Sequence, residues 1–408
     1  MSNIETKLKQ KKAILLAIDV GFDNVKIEIN GNNYIFPSYI TVLDRNFIKQ
    51  GSSDGYIEYT ERIKNSAIDK YLIGEFAQRK IMQESGEAYT DLKKLKNLDT
   101  FFTEETSIFL YRAAIVYALT LYSKDNKIGF DIKDLDKWDV TVALALPYIS
   151  TEEETVISAL KGGLSRRTEI DMVIDQSPVS VTLELPINKI GTTAQVIASF
   201  INQIVDENGT YDSESDIINK LPAVIVDGGY RTIGIATVLK DKSLTIHNPI
   251  SNTEFAMIEV HKKTAEKINN MAKSQYDVDM ERFKPIHFNQ IAEKIEKNIP
   301  FSFDTEKQQG DLYGKQCRIS GAEIKKCFQE TLDEYATKFV QSLICDYKLG
   351  DAATVIIAGG TGFNYANTIR EAISSYNEDI KVIIQEGSVF AIVKGTYKLL
   401  LARFASQE

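Results

Sequence analysis

Cysteine is nearly absent. Cys317, Cys327 and Cys345 are the only three in 408 residues, an odd count without Cys-x-x-Cys spacing, which excludes a disulfide framework or a cysteine zinc site and fits a reduced cytoplasm. Histidine is as scarce, and His247, His261 and His287 stand singly, so none suggests a metal cluster. With only 8 prolines, little of the chain can be a long disordered tail or linker. No apolar run approaches membrane-spanning length, and the polar Met1–Gln10 segment lacks the apolar core of a secretion signal. A basic excess is also missing. The formal net charge of −9 argues against a generally basic nucleic-acid surface, so any contact with DNA is expected to be indirect.

What is present is the composition of a soluble globular protein, 43% hydrophobic and 26% charged, at a length that exceeds one comfortable core. Two domains, or one domain duplicated, is the expectation. Two acidic glycine turns stand out: Asp19-Val-Gly-Phe-Asp-Asn-Val-Lys26 and Asp227-Gly-Gly-Tyr-Arg-Thr-Ile-Gly234, each after an apolar strand. Such a turn is expected to leave consecutive backbone N–H groups facing a concavity where phosphate oxygens can accept them, with Gly21, Gly228 and Gly229 lacking the Cβ that would block approach. Asp19 and Asp227 suit a magnesium ion held through its waters, and Lys26 would neutralise phosphate charge. Turn formation alone also favours Asp and Gly, so either turn by itself is equally well an ordinary hairpin.

The order of elements adds weight to the pair. Ala13–Asp19, Val25–Ile29 and Tyr34–Ser38 read as three strands, the last two joined by the hairpin dipeptide Asn30-Gly31. A polar insertion follows from about Thr41 to Leu92, with short strands near Tyr56–Tyr59 and Lys70–Ile73. The spacing then predicts a helix over Thr103–Tyr122, a strand over Asp139–Leu146 ended by Pro147, a helix start with Thr151 as its cap, a fifth strand over Val179–Leu185, and a helix over Thr192–Val205. The second half repeats this order. Strands at Ala223–Asp227, Ile233–Leu239 and Ser243–His247 precede a helix at Thr253–Met271 and a charged stretch to about Gly314. A helix over Gly321–Cys345, strand Thr354–Ala358, helix Phe363–Ser374, strand Lys381–Gln385 and helix Ser388–Leu400 follow. Repetition of whole supersecondary units implies two α/β domains facing a cleft.

With these residues and this order, the sequence resembles the actin, sugar-kinase and heat-shock ATPase superfamily, and within it the plasmid-segregating actins of the ParM type. Phe36-Pro-Ser38 and Tyr71-Leu-Ile-Gly-Glu75 resemble stretches of bacterial actin-like proteins, Leu146-Pro147 the end of a strand near the nucleotide, and Ala358-Gly-Gly-Thr-Gly362 the adenosine motif. The resemblance implies an α/β actin-like fold of duplicated ribonuclease-H-like domains around a nucleotide cleft. Domain I would comprise 12–188 and 387–408 with a small subdomain inserted at about 40–92, and domain II 189–386 with one at about 272–320. It implies binding of ATP, with GTP the alternative base, and Mg2+ by Gly21, Phe22, Asp23, Asn24 and Lys26, by Gly228, Gly229, Tyr230, Arg231 and Thr232, and by Gly359, Gly360, Thr361 and Gly362. Asp19 and Asp227 would hold the metal through water, Asp227 also counting among the catalytic groups.

The family places its attacking water with a Gln or Glu just after the fifth strand. Without gaps Asn188 falls there, with Glu184 as the alternative. Two departures stand out: Phe22 where actins commonly have a hydroxyl, and Tyr230-Arg231 in place of small residues. The function so implied is a cytoplasmic ATPase that polymerises into filaments and segregates plasmid DNA through a small DNA-binding adaptor of the ParR type, without membrane contact. A metabolic kinase of the same superfamily, or a non-hydrolysing scaffold, are the alternatives.

Overall fold

The longest apolar runs fold as central strands because both of their faces are covered. In a computed structural model, the described residues are 3–21, 24–43, 55–62, 70–85, 104–125, 128–212, 216–240, 245–276, 286, 291, 294–295, 298, 300–303, 317–359, 362–385 and 388–406. Phe22, Asp23, Gly360 and Thr361 lie outside them. The chain divides into two compact units, Met1–Lys220 with Gln385–Glu408, and Leu221–Ile384. Segment 189–220 thus joins the first unit, whereas the sequence reading gave it to the second.

The first unit's strands are β1 (Ala13–Val20), β2 (Asn24–Ile29), β3 (Asn32–Pro37), β4 (Ile40–Val42), β5 (Ile57–Arg62), β6 (Lys70–Ile73), β7 (Asp139–Leu146), β8 (Thr168–Ile174), β9 (Ser177–Leu183) and β10 (Ile190–Ala194). One sheet has the order β10-β7-β1-β2-β3, with β1 antiparallel to β2 and parallel to β7. Strand period two splits β1 between its faces. Ile14, Leu16, Ile18 and Val20 enter the core with the Glu105–Asp125 helix, while Ala13, Leu15 and Ala17 pack on the C-terminal helix, Ala391–Ser406. Asp19 has the parity of the second set, so its carboxylate comes off the sheet on the C-terminal-helix side. Asn30 and Gly31, both at positive φ, make the tight turn that the sequence marks.

Two features of the first unit correct the sequence reading. The segment read as a fifth strand, Val179–Leu185, belongs instead to β9, which pairs with β8 in a second sheet, β4-β6-β5-β8-β9. The hairpin is closed by Asp175-Gln176, both at positive φ and neither a glycine. The place at the end of the main sheet is taken by β10, parallel to β7. Thr151 is not a cap either: it lies within the Tyr148–Glu152 helix, its hydroxyl donating to Tyr148 O at 2.6 Å, and the next helix starts after Glu153 without a side-chain cap.

The second unit's strands are β11 (Ala223–Gly228), β12 (Ile233–Val238), β13 (Ile246–Asn252), β14 (Phe301–Phe303), β15 (Cys317–Ile319), β16 (Thr354–Ala358) and β17 (Lys381–Ile384). Its main sheet runs β13-β12-β11-β16-β17. Read in chain order within each repeat, both main sheets have the arrangement 3-2-1-4-5, which is the duplication seen in the sequence. Helices Met257–Tyr276, Gly321–Asp346 and Gly362–Tyr376 contribute to its core with Val224, Val226, Val355 and Ile357. The Gly321–Asp346 helix starts on a capping box, Ser320 with Glu323.

Two buried groups give the units opposite pH responses. Glu28 is buried beneath the C-terminal helix, with Lys394, Lys398 and Glu207 around it, and burial raises its pKa from 4.5 to about 7. Between those values the folded state keeps a proton that the unfolded state has lost, so stability falls as pH rises, by roughly 3 kcal/mol in total. His261 is buried in the second unit, its pKa lowered from 6.5 to about 4. There the unfolded state binds the proton, and stability rises with pH across the window. Urea unfolding followed from pH 5 to 7.5 is expected to lose its falling component in Glu28→Gln and its rising component in His261→Phe. Unchanged slopes in both variants would refute the assignment.

Candidate functional site

Each main sheet ends in a glycine turn with a carboxylate at the same rung. Asp19 on β1 faces Lys26 across β2 and Ala145 across β7; Asp227 on β11 faces Gly234 across β12 and Ala358 across β16. Both carboxylates are buried, at 1% and 5% exposure. The turns close alike. Gly21 N–H donates to Asn24 O at 3.0 Å, and Gly229 N–H to Thr232 O at 2.9 Å, each spanning two loop residues. This corrects the expectation for these two glycines, whose N–H groups close the hairpins and are not left for a ligand. A two-residue antiparallel hairpin requires that bond. A Cβ on Gly229 would stand 2.5 Å from Thr232 O, so the turn admits no side chain there.

In the first unit the carboxylate is held from two sides. Lys26 Nζ lies 3.2 Å from Asp19 Oδ2, and Gln195 Nε2 donates to Asp19 Oδ1 at 2.8 Å. Gln195 directly follows β10 and opens the Gln195–Ile204 helix. It therefore stands immediately after the strand that occupies the fifth place of the main sheet, and the sequence reading passed over it because it counted Val179–Leu185 as that strand. The available signal was Ile190-Gly-Thr-Thr-Ala194, a short strand whose β-branched residues resemble a helix cap as readily as a strand.

The two residues read from sequence for this place lie elsewhere. Glu184 follows β9, its side chain is 56% exposed, and it pairs with Arg167 at 3.4 Å. Asn188 is exposed on the one-turn helix Ile187–Lys189, whose Lys189 reaches Asp139 at 2.7 Å. Asp139 is opposite Ala13, six residues along β1 from Asp19, or about 20 Å at the rise of a strand. Neither side chain is brought to Asp19.

In the second unit, Gly359 follows β16 at φ +91°, and a Cβ there would meet Gly228 O at 2.4 Å and Asp227 Oδ1 at 2.6 Å. Only glycine allows the backbone to pass so close to the carboxylate. The helix Gly362–Tyr376 starts three residues later. Tyr230 and Arg231 are the two loop residues of the second turn, with Tyr230 partly buried against the core. Among the described residues no group of His, Cys, Asp and Glu has the makings of a metal cage, and no helix is long and apolar enough to cross a membrane.

No family model and no curated protein matches the sequence. Solved structures do. The chain is similar to the ParM of a 15-stranded filament from Clostridium botulinum, at 16% identity and a TM-score of 0.60, over 97% of this chain and 99% of that one. It is similar to the actin-like protein Alp7A at 13% identity and a TM-score of 0.63, over 97% and 98%. An archaeal actin homologue gives 13% and 0.57, over 96% and 99%. At such identity the likeness speaks of architecture alone, and it extends along nearly the whole chain: the protein has the actin-like fold of the ParM and Alp7A structures.

Proposed function

We propose that the chain is an actin-like ATPase that assembles into filaments with ATP and Mg2+ and segregates plasmid DNA in the cytoplasm through a small DNA-binding adaptor of the ParR type. The observation that carries this reading is the pair of equivalent hairpins, each with a buried aspartate at the same rung of a sheet of the same order. Unrelated surface turns have no reason to share that geometry.

The residues suit a magnesium nucleotide. Gly229 and Gly359 are kept bare by contacts that any Cβ would violate, and Lys26 is a cation beside Asp19. On this reading Asp19 and Asp227 hold Mg2+ through its waters, Lys26 and the loop residues of each turn take phosphate oxygens, and Gly359–Gly362 lie against the adenosine. When bound, the triphosphate would supply the transferable phosphoryl group and Mg2+ would offset its negative charge. The chain's own part is placement. Gln195, whose amide can both donate and accept, orients the attacking water from beside Asp19, in preference to Asn188 or Glu184.

Assembly on this reading would use heterologous contacts, which generate open polymers when the rotation does not close. The acidic net charge agrees with DNA being held by an adaptor. Sedimentation with and without ATP and Mg2+, run beside phosphate release, tests the reading. Pelleting and phosphate release that both require ATP and Mg2+ are expected. Phosphate transfer to a small acceptor without pelleting would replace it with a kinase, and nucleotide-dependent pelleting without phosphate release with a scaffold.

A further inference from the structure

The second turn carries Tyr230, and this side chain has a specific partner. The Met257–Tyr276 helix buries Met257, Val260, His261, Thr264, Ala265 and Ile268, an i, i+3, i+4 stripe in which His261 is the one ionisable member. The Tyr230 hydroxyl lies 3.4 Å from His261 Nδ1, with ring centroids 5.6 Å apart and planes at 59°. Phe328 of the long Gly321–Asp346 helix packs on the same imidazole at 5.8 Å. The turn's backbone is tied to the same helix: Ile258 N–H donates to Tyr230 O at 2.9 Å and Met257 N–H to Gly229 O at 3.5 Å. A helix start has N–H groups without intrahelical partners, and here the turn's carbonyls accept two of them.

We propose that His261 is a positioning residue for the second phosphate turn, holding the Tyr230 side chain so that Gly229–Thr232 keeps the shape that meets phosphate. The backbone bonds fix the carbonyls of Gly229 and Tyr230. The contact with His261 ties the turn to the same helix through a side chain as well. Burial keeps the imidazole neutral near pH 7, so Nδ1 can accept from the Tyr230 O–H. Phe328 also packs against the apolar cluster of Ile268, Ile286, Ile291 and Ile319, so the imidazole is backed by side chains that do not move with the loop. The inference rests on the reading of this turn as a phosphate binder.

The test compares His261→Phe, His261→Asn, Tyr230→Phe and the His261→Phe/Tyr230→Phe double variant. The readouts are the affinity for a fluorescent ATP analogue with Mg2+ and the rate of phosphate release, with thermal midpoints as the control for folding. Phenylalanine keeps the ring of His261 without its nitrogens; asparagine puts a polar atom where Nδ1 stood. Losing one such bond is expected to weaken nucleotide binding about three- to tenfold in each single phenylalanine variant. The double variant should be no weaker than either, and His261→Asn should recover most of the loss. A pure packing role predicts the reverse, with phenylalanine tolerated and asparagine harmful, and would overturn the proposal. If His261→Phe fails to fold, Tyr230→Phe decides by itself: wild-type affinity in that variant overturns the proposal. A wild-type protein that binds no nucleotide overturns the phosphate reading and this inference with it, whereas wild-type binding that none of the variants changes overturns the inference alone.

Discussion

Replacing Gly395 by alanine is expected to destabilise the first unit by about 3 kcal/mol, in the range of overpacked cores where backbone must move. Gly395 lies in the C-terminal helix where it crosses the Gln195–Ile204 helix, and an added Cβ would stand 1.7 Å from Ala198 O and 2.6 Å from Ala198 C. Those are backbone atoms of a helix and cannot rotate away, so the two helices must separate. Separation would loosen the contacts of Ala145, Ala198 and Ile392 and shift the helix whose first residue is hydrogen bonded to Asp19. Alanine's better helix propensity, worth about 1 kcal/mol, opposes the loss without cancelling it. Gly162 provides the control. It is an exposed helical glycine whose Cβ would meet nothing within 4 Å, so Gly162→Ala should stabilise by about 0.5–1 kcal/mol. Urea unfolding of both variants measures the difference, and a loss below about 1 kcal/mol in Gly395→Ala would show that the helices part more easily than close packing allows.

The legible parts of the fold are those where burial on both faces writes an apolar run. Val142–Leu146, Val355–Ala358 and Ala223–Val226 are continuous apolar runs because each lies in a central strand covered on both faces, and the bounds of those strands agree with the sequence to within a residue. The edge strand β10 has no such signature. Its three middle residues are only half-buried, so a glycine and two threonines suffice, and they look like the entry to a helix. That one omission places the fifth strand at β9 and, with it, the residue expected to place the water. β8 was legible and was passed over: Thr168, Ile170, Met172 and Ile174 are buried in strict alternation. Its turn, Asp175-Gln176, carries no glycine, unlike the turns that join β1 to β2, β2 to β3 and β11 to β12, so the sequence does not mark the pair as a hairpin. The partnership of Tyr230 with His261 had no sequence signal at all. A lone histidine on an apolar helix face looks the same whether it packs or positions, and 31 residues of chain separate it from the tyrosine.

The assignment of Gln195 makes the largest claim on activity. In Gln195→Ala, phosphate release is expected to fall about a hundredfold, the cost of a misplaced nucleophile, while affinity for the nucleotide changes less than about threefold. On the proposed reading Gln195 would meet the nucleotide only through the water it orients, so its loss should act on the chemical step. Asp19→Asn should behave differently. It keeps the shape of the carboxylate and removes its charge, leaving Lys26, 12% exposed, without its ion partner and any magnesium with one of its two proposed carboxylates. Binding and phosphate release should therefore both fall, and the binding defect should grow as Mg2+ is lowered. Asn188→Ala and Glu184→Ala act as controls, because the one lies toward the Asp139 end of the sheet and the other pairs with Arg167 on the surface. Their release rates should stay within about twofold of wild type, as surface substitutions commonly do. A hundredfold loss in Asn188→Ala with Gln195→Ala unimpaired would return the role to Asn188. It would also mean that the Ile187–Lys189 turn travels the length of the strand to reach Asp19, which it cannot do without unpairing the start of β10, where Ile190 lies opposite Val142 of β7.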